Sequence, residues 1–381
     1  MNSNQENHPR IGWVSTWNTP CGIACYSEHL LEHFKVPVVK LAPYLNTNTK
    51  IESHLVKRCW NLNSECLDTL YQQIMLDNLN IIIVQFNYAF FKFDALSFFL
   101  KRCLDFGLKV FVTLHSTTDP KDHSGKELFI LKDIFEKCHA LFIHSICDQR
   151  RLNAIGLKNN VTLFPHGILD YKPDAYSRIV KKLRKLFIFP RLFHLSTFGF
   201  CLPNKGLPEL IKSIKILKDR GYKIKLSLIT SLYPGKVSSK HRDELVKLIE
   251  TLGLDQNVEI CTDFLSNNES LFILYKTDLV VFPYQNTYES VSGAVRHGIA
   301  SRTTVAVTPL PVFEDVSELT FKFNGFSEHS IADGIIEYIN IIKSNKINSI
   351  LPNKAYLKSW REKHLYSKLS IRLQGIIQSF K

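Results

Sequence analysis

The sequence predicts two consecutive α/β domains, each a doubly wound parallel sheet carrying helices on both faces. Three observations predict it. Short β-rich runs alternate with helical stretches, the alternation restarts near residue 193, and the strand runs are continuously apolar. Strands that are apolar without alternation are buried on both faces, as in a parallel sheet between helical layers. The chain has 381 residues, room for two or three domains of about 150 residues each.

In the first half the expected strands are Ile11–Ser15, Val36–Leu41, Ile81–Gln85, Lys109–His115, Ala140–Ser145 and Val161–Pro165. Helical patterns lie between them at Ala24–Phe34, Leu67–Met75, Asp94–Phe106, Gly125–Lys137 and Asp148–Ile155. The second set of strands is Phe193–Thr197, Lys223–Thr230, Val258–Thr262, Asp278–Pro283 and Thr303–Thr308. Its helices are expected at Leu207–Arg220, Ser239–Leu252, Asn268–Lys276, Val291–Ala300 and Ser327–Ile342. These patterns divide the chain into a first domain over 1–175, a basic linker over 176–192, a second domain over 193–350 and a helical tail over 351–381. The tail carries Tyr356, Leu357, Trp360, Leu365, Leu369 and Leu373 as an apolar stripe but has no strand to pair with.

Composition narrows the class. Hydrophobic residues make up 45% and charged residues 22%, which suits a globular chain and excludes a disordered one. The longest apolar candidate, Leu79 to Phe91, is broken by Asn80, Gln85 and Asn87, so no transmembrane helix is expected. Met1 to Arg10 is polar, so no secretory signal is expected. The nine cysteines form no CxxC pair, which reads as reduced thiols in a cytoplasmic protein.

The net charge of +13 is concentrated. Six cations and no acid lie between Tyr176 and Arg191, and Leu351–Lys381 carries seven cations against Glu362. No zinc finger, RNP aromatic set or zipper accompanies them, so nucleic acid is not the expected partner. Ile179, Val180, Leu183, Leu186 and Phe187 stand at helical spacing among the linker cations. Such a helix suits either an anionic membrane surface or the flank of the first domain.

In open parallel sheets ligands bind beyond the carboxyl ends of the strands, so the loops there carry the candidate chemistry. After the first strand, Gly22 in Thr16–Ala24 marks either a plain turn or a close backbone approach to an anion at a helix N-terminus. His115 and His166 each close a buried strand, where an imidazole either packs or orients a substrate. In the second domain Gly199 and Lys205 precede a helix, which places a cation where the helix dipole already favours phosphate. The densest run is Val281–Arg296. Ser290 or Ser292 can cap the helix that opens there, and Ser292, Gly293 and Ala294 are small enough for a phosphate to reach the backbone. Glu289 is either a dipole partner or an acceptor for sugar hydroxyls, and Arg296 either balances phosphate or pairs with a carboxylate.

The order of Gly22, His115, Pro165-His166-Gly167, Phe198-Gly199, Lys205-Gly206 and Glu289-Ser-Val-Ser-Gly293-Ala-Val-Arg296 resembles the GT-B glycosyltransferases of family 4, over residues 11–375. The resemblance implies a retaining, metal-independent enzyme, with no cofactor, that moves a sugar from a nucleotide-diphosphate sugar to a glycan or lipid-linked acceptor. It implies a donor site in the second domain, an acceptor site in the first and a final helix that crosses back to the first domain. Lys205 matches the diphosphate lysine, Glu289 the first glutamate of an E-x7-E motif, Gly22 the loop beneath the diphosphate and His115 the histidine near the reacting carbon. His115, Lys205 and Glu289 are therefore the catalytic candidates. Gly199, Asp263, Phe264, Ser290, Ser292, Gly293 and Arg296 join the donor set, and Asn18 and His166 are the acceptor candidates. The two basic segments point to a peripheral place on the inner membrane face, and a role in polysaccharide synthesis is expected. Two positions depart from the pattern: His297 stands where the second glutamate is usual, and Phe200 where an arginine accompanies the lysine. They keep two alternatives in play, a nucleotide-sugar epimerase of the same architecture and a catalytically inactive nucleotide-sugar-binding scaffold.

Overall fold

The computed structural model describes residues 10–45, 52–121, 125–175, 177–179, 192–344 and 346–380. The chain forms two compact units. Unit 1 holds the chain up to Gly167, Tyr288–Val291 and everything from Tyr366 onward; unit 2 holds Ile168–Thr287 and Ser292–Leu365.

The strands of unit 1 are β1 (Ile11–Val14), β2 (Val38–Pro43), β3 (Val56–Trp60), β4 (Ile81–Phe86), β5 (Lys109–Leu114), β6 (Ala140–Ile143) and β7 (Val161–Leu163). They pair in parallel in the order β3-β2-β1-β4-β5-β6-β7. Every residue of β1, β4 and β6 is buried, as continuous apolar runs require of central strands. The helices are α1 (Gly22–Leu31), α2 (Asp68–Leu76), α3 (Phe93–Asp105), α4 (Lys132–Phe135) and α5 (Ile146–Ala154). α3 shows why they form: Phe93, Leu96, Leu100 and Cys103 recur at helical spacing and are buried, while Lys101 and Asp105 face water.

Unit 2 contains β8 (Phe193–Phe200), β9 (Ile224–Ser231), β10 (Val258–Cys261), β11 (Leu279–Phe282), β12 (Val305–Val307) and β13 (Thr320–Lys322). Their parallel order is β10-β9-β8-β11-β12-β13. Its helices are α6 (Leu207–Asp219), α7 (Lys236–Thr251), α8 (Asn267–Lys276), α9 (Gly293–Ala300), α10 (Glu328–Lys343) and α11 (Lys354–His364). The last helix, α12 (Tyr366–Ser379), belongs to unit 1, where it packs on α1. Two parallel-sheet α/β units are thus the architecture that the sequence predicts.

Four local expectations differ. β3 is a further edge strand, hidden in sequence because only Cys59 and Trp60 of it are buried. β13 has three residues, too few for a pattern. Gly125–Lys137 yields a 3-10 turn over Leu128–Leu131 and the short α4, not one helix. The tail breaks at Leu365, whose ψ of 136° is not helical and which forms a parallel bridge with Ile168. Trp360 therefore packs within unit 2, near Leu271 and Ala300, and only α12 joins unit 1. Of the expected linker, residues 176 and 180–191 lie outside the described residues, and so does the expected apolar face at Val180, Leu183, Leu186 and Phe187.

No disulfide joins the nine cysteines. Burial pushes the Cys59, Cys103 and Cys138 thiols up to about 12, which makes them poor nucleophiles at neutral pH. Among the described residues no helix is long and apolar enough to cross a membrane.

β3 is tied in by Trp60, which stacks on Phe91 at 5.1 Å and donates its indole N–H to the Leu41 carbonyl at 3.0 Å. Trp60→Ala is expected to cost about 3–5 kcal/mol of stability, the usual range for emptying a large aromatic site. Urea denaturation measures it; a loss below about 1 kcal/mol would mean that this edge packs loosely.

Candidate functional site

In unit 2 the strand order reverses between β8 and β11, which places the loops after these two strands at a topological switch point, the usual ligand position in such sheets. β8 ends on Gly199 and Phe200. Gly199 has φ 137°, and a Cβ there would lie 3.5 Å from the Ala294 Cβ, so the start of α9 sits directly against this strand end. The chain then makes a 3-10 turn over Pro203–Lys205 and passes through Gly206 with φ 69°. A Cβ at Gly206 would stand 1.8 Å from the Pro283 carbonyl oxygen, so only glycine lets the two loops meet. The Gln285 N–H donates to the Asn204 carbonyl at 3.0 Å, and the Asn204 amide to the Asn286 carbonyl at 3.2 Å.

This contact buries Lys205, which is 7% exposed. Its ammonium lies 4.0 Å from the centre of the Tyr284 ring, and the Tyr284 hydroxyl is 3.3 Å from the Ser292 hydroxyl. Ser292 is the N-cap of α9: its oxygen accepts the Val295 N–H at 3.3 Å. A lysine, a tyrosine and the capped start of a helix made of Gly293 and Ala294 therefore gather on one edge of the sheet. The lysine charge and the helix dipole act in the same sense, favouring an anion of phosphate type.

The other expected donor residues of unit 2 lie on α9 and at neighbouring strand ends. Arg296 is buried, pairs with Asp315 and donates to the Ser292 carbonyl at 3.1 Å, the carboxylate-pairing alternative of the two. His297 stacks on Phe198 at 4.2 Å and meets the Ser270 hydroxyl at 2.8 Å, so this ring is a packing element. Phe200 lies 5.2 Å from Tyr233 and 6.4 Å from Phe264. These three rings crown the ends of β8, β9 and β10, and Phe264 is 57% exposed. Asp263 stands beside them with an exposed side chain, and its carbonyl accepts the Ser231 hydroxyl at 3.0 Å.

Unit 1 holds the rest. Gly22 opens α1 with φ outside the positive region, and a side chain there would meet no atom within 4 Å, so neither packing nor conformation demands glycine. Asn18, at φ 50°, donates to Glu52 at 2.8 Å; Arg58 also binds Glu52 and donates to the Trp17 carbonyl at 3.0 Å. The Arg58 hydrogen bond holds the Glu52 carboxyl below its usual range.

His115 follows β5 as expected, inside a nest of rings. Its centre is 5.0 Å from Tyr26 and 5.1 Å from His144. Tyr26 also touches His166 at 5.0 Å and Tyr366 at 6.1 Å. His115 Nε2 lies 2.8 Å from the Gln85 amide oxygen and Nδ1 lies 3.4 Å from His144 Nε2. His144 Nδ1 is 2.9 Å from the Phe164 carbonyl. Both ring nitrogens of His115 thus face internal partners. Burial, and then neighbouring His144, hold it well below its ordinary value of 6.5 and keep it neutral. His166 Nδ1 is 3.0 Å from the Gly167 carbonyl and 3.3 Å from the Tyr366 hydroxyl.

Glu289 and Ser290 also belong to unit 1. The Glu289 side chain is exposed, but the Ser290 hydroxyl donates to Asp148 at 2.5 Å and its N–H to the His115 carbonyl at 3.2 Å. Ser290 is therefore an anchor, and the expected capping role falls to Ser292 alone. Sequence reasoning passed over Tyr284, His144 and Asp148. The available signals were a second strand-end histidine at 144 and the Ser145-x-x-Asp148 spacing of a capping box.

The fold that carries these residues is that of the GT-B glycosyltransferases. A sucrose-phosphate synthase from Thermosynechococcus elongatus matches it with a TM-score of 0.75 at 13% identity, over 98% of this chain and 99% of that one. HepE of Anabaena, in complex with UDP and glucose, matches with a TM-score of 0.75 at 12% identity, over 98% and 100%. A glycosyltransferase from Rickettsia africae matches with 0.70 at 11% identity, over 98% of both chains. Neither a family model nor a curated protein sequence matches the chain. At these identities the likeness establishes the fold, and the site residues have to carry the chemistry.

Two outcomes follow. Gly206→Ala forces a left-handed residue to carry a side chain, about 1–2 kcal/mol by itself, and collides with Pro283, so chemical denaturation should show a larger loss than that. For pH, the unfolded chain takes up a proton at His115 near 6.5 while the folded chain resists it until well below. The stability tied to this burial is complete above pH 6.5 and is lost as pH falls below it. Denaturation midpoints should drop between pH 7 and pH 5, and His115→Asn should flatten that slope; an unchanged slope would show that the ring is protonated at little cost.

Proposed function

We propose that this chain is a glycosyltransferase that moves a sugar from a nucleotide-diphosphate sugar to a hydroxyl acceptor. The observation that carries the reading is the gathering of Lys205, Tyr284 and the Ser292-capped start of α9 at the switch point of unit 2. When the anomeric C–O bond breaks, negative charge grows on the departing diphosphate. Lys205 and the first N–H groups of α9 stabilise it, and because they are already oriented they need no reorganisation during the step. The acceptor oxygen takes the anomeric carbon with retention, and its proton leaves with the diphosphate. The charge is met by protein groups, so the proposed enzyme needs no metal and no cofactor. It would belong to family 4.

The remaining contacts divide by chemistry. Glu289 accepts sugar hydroxyls. The rings of Phe200, Tyr233 and Phe264, with Asp263 beside them, offer a stacking surface for the base. Gly22, where nothing in the fold requires glycine, leaves the start of α1 open to an anion. His297 is taken up by Phe198 and Ser270, so ribose recognition rests on other groups. HepE was solved with UDP and glucose, which supports a nucleotide sugar as donor. The acceptor we propose is a glycan or a lipid-linked saccharide contacted through Asn18 and His166. The excess of cations in 176–191 and 351–381 supports a peripheral place on an anionic membrane face of the cytoplasm, in polysaccharide synthesis. The buried stack of His297 favours one other reading, a binding scaffold that has lost turnover.

A thermal-shift series with UDP, ADP and GDP, and with their sugars, separates these readings from no binding at all. Turnover with the selected donor then separates enzyme from scaffold. Lys205→Ala should lower kcat by about 10²–10³-fold, Glu289→Ala should lower it strongly, and EDTA should leave it unchanged. Full activity in both variants would overturn the site.

A further inference from the structure

The carboxylate of Asp148 is wholly buried, and its two oxygens are used differently. Oδ2 closes the capping box of α5: it accepts the Ser145 N–H at 2.9 Å and the Ser145 hydroxyl at 2.7 Å, while the Ser145 oxygen accepts the Asp148 N–H at 3.2 Å. Oδ1 plays no part in the cap. It accepts the Thr117 hydroxyl at 2.6 Å and the Ser290 hydroxyl at 2.5 Å, with an Arg151 nitrogen 3.5 Å away. Arg151 also donates to the Thr117 oxygen at 3.2 Å. A helix cap accounts for one oxygen; the other is aimed at a residue 142 positions along the chain.

That residue adjoins Glu289. On the other side of Glu289, the Tyr288 carbonyl accepts the Ser116 hydroxyl, and the Ser290 N–H donates to the His115 carbonyl at 3.2 Å. Both neighbours of Glu289 are thus pinned to the strand end His115-Ser116-Thr117, while the Glu289 side chain itself is exposed. Four donors from three residues converge on the Asp148 side chain, whose two oxygens both accept; an amide in its place would turn a donor toward one pair of them.

We infer that Asp148 is a positioning residue for Glu289: through Ser290 and the Thr117 strand end it fixes the backbone from which Glu289 reaches a ligand. The inference rests on the proposed function for the identity of that ligand, but not for the anchor itself. Displacement of a reacting geometry by about 1 Å costs on the order of 10²-fold in rate, so a loosened Glu289 shows in turnover before it shows in folding.

Ser290→Ala is the cleaner test, because it removes one bond to Oδ1 and leaves the capping box whole. Hydrogen exchange should quicken at least tenfold for the amides of 288–291, with the amides of α5 unchanged. UDP affinity by calorimetry should stay within about twofold while kcat falls about 10–100-fold. Asp148→Asn should reproduce the effect at 288–291 and also loosen α5. Unaltered exchange at 288–291 in Ser290→Ala, or unaltered kcat despite faster exchange, overturns the inference. Quickened exchange in Ser290→Ala, alongside a parent chain that binds UDP but transfers no sugar, would sink the proposed function and leave the anchor standing.

Discussion

Parallel pairing is the constraint on which the rest depends. Within each sheet every strand runs the same way, so each connection has to return the chain, and the carboxyl ends of that sheet's strands fall on one edge of it. Where the order steps from β8 to β11, the connections leave on opposite sides of the sheet. Lys205 and Ser292 lie in or beside those loops. Their approach depends on a residue without a Cβ at 206, since any side chain there would occupy the Pro283 carbonyl. The cation is thereby held under the Tyr284 ring, partly desolvated, where its charge acts through less water than a surface lysine's would.

Buried polar groups explain much of the remaining geometry. A carboxylate or imidazole removed from water needs a partner or a change of protonation. Asp148 meets the need with donors from Thr117, Ser145 and Ser290, Arg296 with Asp315, and His297 with Ser270 and the face of Phe198. His115 meets it by staying neutral against Gln85 and His144. In unit 1 Asp148 ties the residues after β5 to Ser290, and in unit 2 Arg296 and His297 tie α9 to Asp315 and to α8, so each unit is fixed by long-range contacts as well as by its own turns.

That division sets how much was legible in the sequence. β4, β5 and β11 declare themselves by the apolar runs Ile81–Val84, Val110–Val112 and Leu279–Phe282, and α3 and α6 by their stripes. Lys205 and Ser292 are legible because strand–loop–helix order is local. β3 is not, since its polar half faces outward. Nor is the placement of Tyr288–Val291 with unit 1, which depends on bonds from Ser116 and Asp148, 172 and 142 residues away in sequence. Asp148 looked like a helix residue, and its capping spacing was readable; the use of its second oxygen was not. The break at Leu365 was hidden because Trp360 and Leu369 continue one apolar pattern while packing in different units.

Phe200 and His297, the two positions where the sequence departs from the family it resembles, bear on each other. An arginine replaced by Phe200 removes one positive charge from unit 2, and a glutamate replaced by His297, stacked as it is on Phe198, removes one negative charge. The pair of changes leaves the net charge of the neighbourhood as it would have been. What changes is its character: aromatic rings now stand where ionic contacts would be made, at the ends of β8, β9 and β10. Aromatic faces bind bases with little dependence on which base is present, because every base offers a π-face. In the proposed donor site, recognition of ribose and diphosphate is correspondingly less ionic, and Lys205 becomes the cation on which its phosphate end relies most heavily.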